Sequence, residues 1–154
     1  MCDITTLRNW LNWGLGAILT AGAFIGAAVI ANISVVAAAA APTLMIIAGV
    51  VTLIADFFVW SAVWALNEYC QCLMGRCERQ CSQLRYLLLG VAAVLLAQAW
   101  ACGVAAGVAW IPGFGIPPMI AIAVTLILQL GLIIFGIGFV NALAACGQPP
   151  AAAA

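Results

Sequence analysis

The chain has 154 residues, 68% hydrophobic and 5% charged, with four arginines, no lysine, no histidine and zero formal net charge. Soluble domains carry charge on about a quarter of their residues, so this chain cannot cover an exterior in water and lipid must be its solvent. The neutral charge balance and the lack of a basic stripe exclude nucleic-acid binding. The runs "GFG" and "GIG" lack the strand–turn–helix setting of a nucleotide-binding loop.

The opening "MCDITTLRNWLNWGLG" holds an acid, several polar residues and one arginine ahead of a long apolar run. It lacks the basic n-region, short apolar core and small-residue cleavage site of a signal peptide, and is expected to be a retained first span. A spanning helix needs about 20 apolar residues to cross roughly 30 Å of hydrocarbon. Four stretches meet that length, roughly 10–36, 43–66, 84–110 and 117–143, leaving a central loop at 67–83 and a short tail at 144–154. "VAAAAAP" and "IPGFGIPP" read as tight turns, because proline fixes φ and removes a donor while glycine allows positive φ. The expected fold is therefore all-α and integral to the membrane, a single domain of four transmembrane helices arranged as two hairpins.

Arg8 precedes the first span, and Arg76, Arg79 and Arg85 lie between the second and third, whereas the two proline-containing turns carry no charge. Positive residues near span ends stay cytoplasmic. Both termini and the central loop are thus expected on the cytoplasmic side of a plasma or inner membrane. "VTLIAD" at 51–56 and "VTLILQ" at 124–129 fall at similar depth in the second and fourth spans, which suggests a duplicated hairpin.

Within the spans the polar positions are few. Thr20, Asp56, Gln98 and Gln129 form a candidate mid-membrane cluster. A carboxyl at the bilayer centre costs about 2.5–3.5 kcal/mol, so Asp56 should face the bundle. With no basic residue at its depth, it is expected to donate a hydrogen bond to Gln98 or Gln129. Gly22, Gly26, Gly103, Gly107 and Gly131 allow close helix approach, expected mainly within the bundle and secondarily between copies.

"YCQCLMGRCERQC" gathers four cysteines at the central turn. Cys70, Cys72, Cys77 and Cys81 are candidate metal or redox residues, although the spacing is looser than a paired-ligand zinc motif. In a reducing cytoplasm they read first as free thiols at a helix boundary, with zinc, a disulfide or redox pair, or S-acylation as alternatives. Cys2, Cys102 and Cys146 read as isolated packing residues. Trp10, Trp13, Trp110, Tyr69 and Tyr86 lie near span ends as an aromatic belt, and without histidine the usual axial ligand of a haem is missing.

No acid–base pair, nucleophile–base pair or cofactor motif is visible, so no enzyme activity and no cofactor are expected. The leading expectation is a structural or accessory subunit that assembles with itself or with a larger membrane complex. The alternatives are an oligomeric channel around Asp56 and a thiol redox or metal-handling protein at Cys70–Cys81.

Overall fold

The computed structural model describes residues 2–34, 38–109, 111 and 114–147. The end of the first expected span, Trp110, Pro112, Gly113 and residues 148–154 lie outside the described residues. Four helices carry the chain: α1 Thr5–Ile33, α2 Ala41–Cys72, α3 Glu78–Val108 and α4 Ile116–Gly147, with a 3-10 turn at Ala38–Ala40. All four are long and apolar enough to cross a membrane, and the protein is read as a multi-pass membrane protein.

The helices hold 29 to 32 residues and are about 43–48 Å long, so each outreaches a hydrocarbon core of roughly 30 Å. All four begin earlier than the apolar runs alone suggest, and α2 and α4 also end later, whereas α1 and α3 end a few residues sooner. The central loop expected at 67–83 contracts to residues 73–77, because Glu68, Gln71, Glu78, Arg79 and Gln80 are polar but good helix formers, so the helices continue past the apolar runs. Three left-handed residues make this turn: Met74 at φ 55°, Gly75 at φ 86° and Cys77 at φ 58°. Pro42, Pro117 and Pro118 stand in the first turns of α2 and α4, where a missing N–H costs nothing. At the start of α1, Asp3 Oδ1 accepts the Thr5 backbone N–H at 2.9 Å, which holds the Asp3 carboxyl below its usual value.

In cross-section the bundle is a square. α1 packs on α2 and α4, α3 packs on the same two, and the diagonal pairs do not meet. Buried positions recur every seven residues, as in Met119, Leu126, Ile133 and Val140 on α4 or Ala41, Ala48, Ala55 and Ala62 on α2. That period is the signature of a left-handed bundle with shallow crossing. Small inward residues allow the axes to approach: a Cβ on Gly49 would lie 3.2 Å from Cys102 Cβ and 3.4 Å from the Ala99 carbonyl. Large apolar side chains such as Trp64, Trp100, Val104 and Phe135 face outward, as they must when the surroundings are hydrocarbon.

The two halves repeat. Each of the eight buried positions of α4 lies 74 residues after a buried position of α2, from Met45 and Met119 to Tyr69 and Leu143. Eight buried positions of α3 stand in the same relation to α1. The repeats occupy diagonal corners of the square, so one half maps onto the other by a rotation about the bundle axis. The "VTLI" match has an offset of 73 and is one residue out of step with this packing register.

Candidate functional sites

The cysteine-rich end is closed by disulfides. Cys2 pairs with Cys72 (Cα–Cα 5.7 Å), Cys70 with Cys81 (6.2 Å) and Cys77 with Cys146 (6.2 Å), separations that suit the bond. Free thiols at the helix boundary are thus not what forms, and Cys2 and Cys146 are not isolated. The three pairs bring the start of α1, the α2–α3 turn and the end of α4 together at one end of the bundle, where six cysteines converge. Two of the pairs are equivalent in the repeat: Cys2–Cys72 joins the start of α1 to the end of α2, and Cys77–Cys146 joins the start of α3 to the end of α4. The third, Cys70–Cys81, ties one half to the other. Cys102 alone is free, buried against Gly49. Among the described residues no group of three or more Cys, Asp or Glu side chains is arranged to hold a metal ion.

At mid-depth Asp56, Gln98 and Gln129 all point inward, each 6% exposed or less. At 1.5 Å per residue, Asp56 lies about 24 Å from the stapled end of α2, Gln129 about 27 Å along α4 and Gln98 about 30 Å along α3. They share a layer but do not satisfy one another. Among the described residues, both ends of the Gln98 amide, Asp56 Oδ1 and Gln129 Oε1 have no hydrogen-bond partner. The Gly49 contact with Ala99 and Cys102 sets the α2–α3 register and puts Gln98 level with Thr52, one turn from Asp56. Gln129 sits on the helix diagonal to Asp56. The hydrogen bond expected from Asp56 is therefore not made. Thr52, fully buried, turns its hydroxyl back to the Ala48 carbonyl at 2.7 Å. Thr20 does not belong to the layer: it is exposed on the outer face of α1, bonded to the Gly16 carbonyl at 2.8 Å.

Sequence reasoning missed Asn32, fully buried at the far end from the disulfides. Its amide donates to the Ala109 carbonyl, and to that of Ile111 at 3.4 Å, fastening α1 to the α3–α4 connection. Its signal was an amide at a span end facing a turn whose carbonyls lack helical partners.

The glycines chosen from sequence do not pack inside the bundle. A Cβ on Gly22, Gly26, Gly103, Gly107 or Gly131 would meet nothing within 4 Å, whereas Gly14, Gly49 and Gly136 face neighbouring helices. On α1 the inward side runs through Leu11, Gly14, Ile18, Ala21 and Ile25. The opposite side presents Asn12, Gly16, Thr20, Ala23 and Gly26, small or polar residues facing out. Asn9, Asn12, Trp13, Gly16 and Thr20 line an open groove of about 560 Å³ there.

No family model, curated protein or solved structure matches the chain.

Proposed function

We propose that this is a non-enzymatic structural subunit of a membrane assembly, joined to further copies of itself through the outward face of α1. The observation carrying this reading is the Asn12–Gly16–Thr20 stripe, which leaves amide and hydroxyl groups on a face made of small side chains. Facing lipid, such a surface forgoes dispersion contact and leaves the Asn12 amide in hydrocarbon, although the Thr20 hydroxyl is already bonded to the Gly16 carbonyl. Against the same surface of a second copy, it gains close backbone approach and interhelical hydrogen bonds worth about 0.6–2 kcal/mol each. Gly16→Leu tests it, since a side chain there meets nothing within the subunit. Light scattering in mild detergent should find a defined oligomer for the parent chain and monomers for Gly16→Leu, while Gly131→Leu on α4 leaves the oligomer intact. A monomeric parent chain in detergent and in native nanodiscs would defeat the proposal.

In this reading two hairpins are threaded so that both termini and the central turn emerge together. Two signals then oppose each other over which side that is. The arginines favour the cytoplasm, whereas stable disulfides belong to oxidising compartments. We weigh the three covalent pairs above the four arginines, and take the stapled end to open on the oxidising side of a plasma or inner membrane. A second reading, an oligomeric pore, draws on the buried Asp56, Gln98 and Gln129 layer, in which Asp56 Oδ1, the Gln98 amide and Gln129 Oε1 lack partners among the described residues. Its test is ion leak through liposomes, altered by Asp56→Asn.

A further inference from the structure

We infer that the α2–α3 seam at the stapled end binds a phosphate group, carried by an anionic phospholipid headgroup or by a soluble phosphate of the same chemistry. A cavity of about 340 Å³ opens there, lined by Asn67, Gln71, Arg76, Ser82 and Arg85 with the Cys70–Cys81 disulfide in its wall. Glu78 also lines it, so two guanidiniums face one carboxylate and the cavity is net cationic. The Nε of Arg85 is buried and has no hydrogen-bond partner among the described residues. Guanidinium groups match phosphate oxygens with paired, charge-assisted hydrogen bonds, and Asn67, Gln71 and Ser82 add neutral donors.

The internal repeat supplies a control within the molecule. Asn141 stands 74 residues after Asn67, in the equivalent seam between α4 and α1. There Arg8 Nη2 donates to Asn141 Oδ1 at 2.9 Å. Among the described residues Asn67 receives no such bond. One seam is closed by its own arginine–amide pair, and the other holds an arginine and the equivalent amide around an open space.

Depth fits the same ligand. Arg85 lies about 10 Å from the start of α3, and Asn67 about 8 Å from the end of α2. Each helix outreaches the hydrocarbon by about 7–9 Å per side, so both residues sit at the boundary where lipid phosphates lie. Basic pockets between membrane helices at this depth take anionic headgroups.

The test is native mass spectrometry of the intact, oxidised protein in neutral detergent, titrated with phosphatidylglycerol or phosphatidylcholine, beside thermal shifts in millimolar inorganic phosphate against chloride. The parent chain should retain phosphatidylglycerol about tenfold better than phosphatidylcholine, Arg85→Gln should lose that preference, and Arg79→Gln, outside the cavity, should keep it. Arg76→Gln, at an exposed side chain that gives up only one bond from its Nε to the Leu73 carbonyl, should weaken binding several-fold and keeps the test valid if Arg85→Gln misfolds. Lipid selectivity without a phosphate shift identifies a headgroup site. A phosphate shift lost in Arg85→Gln or Arg76→Gln, without lipid selectivity, identifies a soluble phosphate. Equal retention of both lipids with no phosphate shift, or selectivity untouched by both arginine changes, would overturn the inference.

Discussion

Removing the Cys77–Cys146 disulfide by a double change to serine gives the most quantitative handle on the bundle. The pair closes a segment of 69 residues. The chain-entropy relation for a freely unfolding chain then gives a stabilisation of about 4.4 kcal/mol. In a bilayer the denatured state differs, because α3 and α4 remain inserted and helical while their packing is lost. Only the α3–α4 connection at 109–115 then gains freedom, and the same relation applied to those seven residues gives about 2.4 kcal/mol. The double variant should therefore lose about 2 kcal/mol in bicelles, seen as a thermal midpoint lower by roughly 5 °C. In SDS titration, where packing and some helix are lost together, the loss should approach the larger figure. Reductant opens all three pairs and should lower the parent chain's midpoint by more than the double variant's loss, and Cys102→Ser, which removes no disulfide, should respond to it as the parent does. A double variant as stable as the parent in both media would refute the reasoning, since α4 would then be held by packing alone.

Three other substitutions probe positions with different expectations. Gly115→Ala would bring a Cβ within 2.8 Å of Ala109 Cα and 3.1 Å of both Asn32 Nδ2 and Met119 Cε. Backbone stands in the way, so it should cost about 1–3 kcal/mol, while Gly131→Ala should change stability by less than about 1 kcal/mol; equal midpoints for the two would contradict the packing described. Asp56→Leu replaces a buried carboxyl whose Oδ1 has no partner and should stabilise the bundle by about 1–3 kcal/mol. Destabilisation of that size in SDS titration would mean that the carboxyl meets a group in the membrane that repays its burial.

The spans were legible because four apolar runs of sufficient length leave no other solvent than lipid. Asp56, Gln98 and Gln129 were placed inward because polar groups avoid hydrocarbon. Thr20 broke that rule, since its hydroxyl satisfies itself on the Gly16 carbonyl one turn back and can face outward cheaply. The outward glycines were misread for a related reason. Apolar residues cover every side of these helices, so periodicity alone does not separate the face that meets a helix from the face that meets lipid. The heptad of small residues, Gly14, Ala21 and Ala28 on α1, was the better guide to the inward face. The Cys2–Cys72 and Cys77–Cys146 pairs were within reach of the threading argument, which already brought both termini back to the central turn. The assumption of a reducing compartment turned the reading toward free thiols.

Counting accessible thiols bears most directly on the stapled bundle. The protein is alkylated under denaturing conditions without reductant, then again after reduction, and its mass is recorded each time. With six of seven cysteines paired, the first treatment should add one adduct, at Cys102, and the second should bring the total to seven. Seven adducts before reduction would leave the end of the bundle unstapled and remove the ground for placing it on the oxidising side.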